Sequence, residues 1–154
     1  MPVHDFDQPE RFVAGTVGPP GQRTFFLQAR DGRRLVSCSC EKEQVSILAD
    51  RLLDLLDELA GPAGSDAAAS ALTDDAPLDT PIEDEFRVTT LSLAWDPHRH
   101  VVVIEAASED PDEAADPQAA DEVDVDADRP PSDIVRVVLS PAAARAFALR
   151  SRSL

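Results

Sequence analysis

From Arg11 to Cys40 the apolar residues come in short runs separated by turn-forming residues. "RFVAGTV" (11–17) reads as a strand, "RTFFLQAR" (23–30) as a second and "RRLVSCSC" (33–40) as a third. Asp31–Gly32, between the last two, is a two-residue hairpin signal because such turns need positive φ. From Glu41 the period lengthens. Val45, Leu48, Leu52, Leu55, Leu56 and Leu59 share one helical face, while Lys42, Glu43, Asp50, Asp54 and Asp57 fall largely elsewhere. Gly61–Pro62 ends that helix.

"GPAGSDAAASALTDDAPLDTP" (61–81) keeps no period and reads as a linker. Beyond it, "EFRVTTLSLAW" (85–95) reads as one strand, "DPHR" (96–99) as a turn and "HVVVIEAA" (100–107) as the next strand. The acidic, proline-punctuated run at 108–131 has too little apolar surface to order itself and is expected to be a flexible insertion. "DIVRVVL" (133–139) is a third strand. Ser140 as N-cap and Pro141 in the first helical position then open a second helix, "AAARAFALR". The order β-β-β-α thus occurs twice, at 1–60 and 83–154, joined by a linker at 61–82. The expected class is α+β: one composite domain of two β-β-β-α repeats, mainly antiparallel, with two helices covering the sheet surface. Each half is too small to bury its own sheet, so the two must share a core.

Charge changes this picture by being unevenly spread. The formal net charge is −16 over 154 residues, yet residues 54–85 hold ten acids and no base, and residues 105–128 hold eleven acids and no base. Only nine acids then face all fourteen Lys and Arg in the remainder, which is mildly basic. A chain this acidic is repelled by nucleic acid and by anionic membranes, so neither is an expected partner. The longest apolar runs fall far short of a membrane span. The N-terminal "MPVHDFDQPER" lacks the basic and apolar regions of a secretory signal. Cys38 and Cys40 are too close for a routine disulfide. A reducing cytoplasm is the expected compartment.

Candidate chemistry is sparse. Gly15, Gly18 and Gly21 suggest a phosphate-cradling loop, but no Lys-Ser/Thr follows and the next segment is a strand rather than a helix. Bends between strands account for them. Cys38 and Cys40 point to one face of a strand, where small buried apolar residues need no further role. His98 and His100 with Asp96 form "DPHRH", a weak candidate for zinc or copper at a surface turn, and His4 adds little. There is no nucleophile elbow, no HExxH and no tyrosine. No catalytic residue and no cofactor is therefore assigned. Arg23, Arg30, Arg33 and Arg34 remain, grouped along one hairpin, where they could bind a phosphorylated ligand, an acidic partner or the protein's own acidic insertion.

"RFVAGTVGPPGQRTFFLQARDGRRL", "EKEQV" at the start of the first helix and "PLDTPIEDEFRVTTLSLAWD" resemble an actinobacterial family of unknown function, DUF3090. The resemblance runs from about Val3 to Phe147 and implies a repeat protein with no known activity. It also implies a functional link to histidine-phosphatase-like and lipid-kinase-like proteins, whose genes lie beside those of the family. Members commonly carry a cysteine-rich tail with paired CxxC spacing, which implies zinc. This sequence ends "ALRSRSL" without that tail, so the ligands for that zinc are absent from it. Two functions are expected from these readings. The first is a non-enzymatic protein-binding or adaptor module. The alternative is a binder of, or enzyme on, small phosphorylated molecules through the Arg-rich hairpin.

Overall fold

The computed structural model describes residues 3–108 and 133–154. In chain order the elements are β1 (Val3–Asp7), β2 (Arg11–Val17), β3 (Thr24–Asp31), β4 (Arg34–Cys40), α1 (Lys42–Leu59), a 3-10 turn (Gly61–Gly64) and α2 (Asp66–Ser70). Then come β5 (Asp84–Arg87), β6 (Thr90–Asp96), β7 (Val101–Ala107), β8 (Ile134–Leu139) and α3 (Pro141–Arg152). The strands form two four-stranded sheets, ordered β2-β3-β4-β5 and β1-β8-β7-β6. Each sheet is a three-strand antiparallel meander with a fourth strand added in parallel: β5 beside β4, and β1 beside β8. The class is therefore α+β, as expected. The parallel strands are exchanged: β1 precedes the first meander but joins the second sheet, and β5 precedes the second meander but joins the first.

Three expectations need correction. A strand at 3–7 is added, because alternation in "VHDFD" is carried by Phe6 alone, which is buried while its neighbours are not. The single strand expected at 85–95 is two strands in different sheets. Val88 N–H donates to Ser39 O at 2.8 Å and Thr89 N–H to Ala107 O at 2.9 Å, so the chain changes sheets between adjacent residues. The described residues hold three α-helices, since the expected linker contains α2, capped by Ser65 Oγ accepting from Ala68 N–H. The rest of that segment lies across a sheet instead of joining two units loosely. The expected flexible insertion at 108–131 falls, beyond Ser108, outside the described residues.

The helix ends follow local rules. Glu41 N–H donates to Gln44 Oε1 at the start of α1, and Ser140 Oγ accepts from Ala143 N–H with Pro141 next to it at the start of α3. One core joins the inner faces of both sheets to the two long helices. The first sheet contributes Phe12, Ala14, Leu27, Ala29, Val36, Cys38 and Cys40. The second contributes Phe6, Val102, Ile104, Ala106, Val135, Val137 and Leu139. Helix α1 fills the space with Val45, Leu48, Leu52 and Leu56, and α3 with Ala144, Phe147 and Ala148.

The first sheet is buried on its other face as well, which explains why "FVAGTV" and "FFLQA" read as apolar runs rather than alternations. Val13, Phe26 and Leu78 form a second, smaller cluster there. Gly15 lies directly under Leu78: a Cβ at that position would be 2.6 Å from Leu78 Cγ. Only glycine lets the segment 74–84 lie this close to β2.

Candidate functional site

The strap at 74–84 meets the outer face of the first sheet through a cluster of charges. Arg11 and Arg30 are direct cross-strand partners on β2 and β3, an arrangement of like charges that disfavours the sheet unless an anion intervenes. Asp79 supplies it. Its Oδ2 accepts from Arg11 Nη1 at 3.1 Å and its Oδ1 from Arg30 Nη1 at 3.2 Å. The backbone beside that carboxylate is fixed by Gln28, which accepts from Asp79 N–H at 2.8 Å and donates to Asp79 O at 2.9 Å. Asp74 takes the remaining fork of Arg11, with Nε at 2.7 Å and Nη2 at 3.1 Å. Arg150 of α3 closes the cluster, donating to Ala14 O at 2.9 Å and to Asp74 O at 2.6 Å.

The electrostatics follow from this geometry. Asp74 is held below the usual carboxylate range, chiefly by its hydrogen bonds from Arg11, with burial opposing. Arg11 is raised, first by Asp74. Arg150 is lowered, first by burial. The cluster is thus a closed set of ion pairs that joins β2, β3, the strap and α3. A recess of about 180 Å³ beside it is lined by Phe12, Leu72, Phe147 and both Arg11 and Arg150.

The four arginines expected on one hairpin part company. Arg30 turns to Asp79, as described. Arg34 places its guanidinium 4.2 Å over the Phe6 ring and donates to Asp5 O at 2.7 Å. Arg33 lines, with Arg30, a recess of about 430 Å³ that also contains Asp79 and Glu83. Arg23 lies in a different recess, of about 350 Å³, with Phe25 and Lys42. Arg30 meets an acid of the strap, where the sequence leaves a phosphorylated ligand, an acidic partner or the acidic insertion open for it. Asp96 Oδ1 accepts from the His98 and Arg99 N–H groups, and the His100 ring meets Trp95 edge-on at 4.8 Å. These contacts give the "DPHRH" residues turn-forming roles. No cluster of three metal-ligating side chains occurs among the described residues.

Cys38 and Cys40 are buried on the inner face of the first sheet, unpaired. Burial pushes both thiols up, Cys40 to about 12 and Cys38 further. At pH 8 the folded protein should therefore stay unmodified by iodoacetamide over an hour while both sites react in denaturant, as read by intact mass. Fast alkylation of the folded chain would show that the thiols are not sequestered.

A third feature lies at the junction of α1 and the second sheet. Gln44 Nε2 donates to Val88 O at 3.2 Å, anchoring the start of α1 beside β6. Past that point helix and strand diverge and leave a groove of about 690 Å³. Ile47 and Leu55 line its helix side, Leu91 and Leu93 its strand side, and Arg51 its rim. Ile47 is 52% exposed, the most exposed large hydrophobic side chain among the described residues. Sequence reading placed Leu55 on the core face of α1 and left Ile47 off it. The signal was present: an isoleucine outside the core face of a helix otherwise flanked by acids.

A family model for proteins of unknown function, DUF3090, matches residues 4–154. The chain belongs to the DUF3090 family. No curated protein and no solved structure matches it. No helix among the described residues is long and apolar enough to cross a membrane.

Proposed function

We propose that this DUF3090 protein is a non-enzymatic protein-binding module, and that its binding surface is the groove between α1 and β6. The observation that carries this reading is the exposure of Ile47 above a concave apolar surface continuous with Leu55, Leu91 and Leu93. The groups whose protonation the fold perturbs support it too. Asp74, Arg11 and Arg150 are engaged with one another, and the two thiols are held in their neutral form. Of the four hairpin arginines only Arg30 and Arg33 share a recess, and Asp79 and Glu83 line it as well, a charge set that favours this reading over a small phosphorylated ligand. Two buried, unpaired thiols are consistent with action in the cytoplasm.

Site-specific photo-crosslinking tests the surface. A benzophenone side chain at position 47 should yield a discrete protein adduct in cells, lost when Leu93→Asp is added to a chain whose melting shows it folded. Adducts from position 17 or 149, both exposed apolar sites elsewhere, with none from position 47, would overturn the proposal.

A further inference from the structure

The four edges of the two sheets are not treated alike. β1 is five residues long, carries Asp5 and Asp7, and has the Asp5 carbonyl bound by Arg34. The edge of β2 is met by α3, whose Arg150 donates to the Ala14 carbonyl. β5 has only four residues, three of them charged (Asp84, Glu85 and Arg87), and its register with β4 is shifted. Shortness, charge, irregular register and side-chain capping are the means by which proteins keep strand edges from pairing further. Among the described residues, β6 shows none of these from Leu91 to Trp95. "TLSLAWD" is seven residues long, charged only at its end, and in unbroken register with β7 over all seven pairs. Among the described residues, no side chain bonds its backbone between Leu91 and Trp95.

This edge runs beside the α1 groove. Resting on the protein-binding reading above, we propose that the partner supplies an extended segment that adds to the edge of β6 as a fifth strand, in the pattern apolar-x-acidic-x-apolar. The spacing comes from α1. Ile47, Arg51 and Leu55 follow one another at intervals of four along one stripe of the helix, and all three line the groove. Eight helical residues rise about 12 Å, and four strand residues advance about 13 Å. Same-face positions i and i+4 of an added strand therefore reach Ile47 and Leu55, and position i+2 reaches Arg51. Arg51 is the sole charged residue lining the groove and has no ion-pair partner among the described residues, so a carboxylate at i+2 completes it. Leu91 and Leu93 supply the apolar neighbours on the β6 side. Main-chain hydrogen bonds give such an interaction its affinity and alternate side chains its specificity.

A random heptapeptide display library, panned on the intact chain and counter-selected on the Leu93→Asp variant, reads the pattern directly. Enrichment of apolar-x-acidic-x-apolar sequences is expected. Panning on Arg51→Glu should change the middle position to lysine or arginine. That substitution is on the surface of α1 and leaves the fold intact, so the change reports on recognition. Methylating alternate backbone nitrogens of an enriched peptide should weaken its binding more than 10-fold by fluorescence anisotropy. Enriched sequences with apolar residues at i, i+3 and i+4, binding indifferent to N-methylation, or no groove-dependent enrichment would each overturn strand addition. A crosslink from position 47 obtained alongside any of these would leave the binding surface standing and reject only the mode, whereas absence of that crosslink rejects the surface itself.

Discussion

Arg11→Ala should destabilise the protein by about 3 kcal/mol, the lower end for removing one partner of a buried ion pair, because the carboxylates left behind are partly solvated. For a chain of this length that lowers the melting temperature by about 6–12 °C. The side chain is 8% exposed and makes four hydrogen bonds, to Asp74, Asp79 and the carbonyl of Ala76. Without it the only ion-pair partners left among the described residues are Arg150 for Asp74 and Arg30 for Asp79. The strap would lose its anchor to β2 while Gln28 and Leu78 still held its middle. Calorimetry of the two proteins measures the difference, and a loss under 1 kcal/mol would mean that the strap is held by Leu78 and Gln28 alone.

The same substitution carries a pH signature. Asp74 is depressed in the folded protein, so it contributes stability that is present above the ordinary carboxylate value near 4 and is lost as pH falls through its lowered folded value. Arg11 is the main cause of that depression. The gap between the parent and Arg11→Ala should accordingly be widest at neutral pH and shrink below about pH 4, as Asp74 protonates and no longer needs a cation. A gap unchanged between pH 7 and pH 3 would assign the destabilisation to lost packing instead.

What the sequence revealed of this fold depended on where information was local. The Asp31–Gly32 turn, the Ser140–Pro141 helix start and the six strands of the two meanders are set by neighbouring residues, and they stand in the structure as read, apart from the boundary that moves β6 to Thr90. β1 and β5 owe their place to partners more than 40 residues away in sequence, and their own alternation is slight. The strap was misread for a related reason. Its composition is that of a linker, but Asp74, Asp79 and Asp84 each have a specific partner across the sheet. The charge distribution held a hint: residues 54–85 hold ten acids without a base, so any cation they meet comes from elsewhere in the chain. Of the cations that answer those acids, Arg11 opens an apolar strand and Arg145 stands among apolar residues of an alanine-rich helix, while Arg150 lies beside Ser151 and Arg152. Arg145 donates to Gly64 O at 2.6 Å and pairs with Asp57 and Asp66, fixing the 3-10 turn and α2 against α3. A cation isolated in an apolar face is the pattern that finds such residues. Grouping of arginines along a hairpin is not, since exposed neighbours are free to diverge. The groove left a clearer trace, in Ile47 alone.

Phe147→Ala should cost about 3–5 kcal/mol, in the upper half of that range. The ring is 3% exposed and stacks on Phe12 with centroids 4.6 Å apart and planes 22° from parallel, joining α3 to the inner face of β2. How much a truncation costs depends on how far the surroundings can close over it. Here they are pinned. One turn further on, Arg150 ties the helix to Ala14 O and Asp74 O, and Ser151 Oγ donates back to Phe147 O. On the other side Arg145 ties it to Gly64 O. With α3 held at both ends, the void cannot collapse and opens into the adjoining 180 Å³ recess, which Phe12 and Phe147 already line. Leu149→Ala on the exposed side of the same helix should stay within about 0.5 kcal/mol, which separates loss of the core contact from loss of helix propensity. Urea unfolding of the three proteins gives the comparison, with equal slopes required for a simple stability difference. A Phe147→Ala cost below 2 kcal/mol would show that α3 moves inward despite its anchors. In that event the Arg145 and Arg150 ties, rather than the aromatic pair, would be the compliant part of this interface.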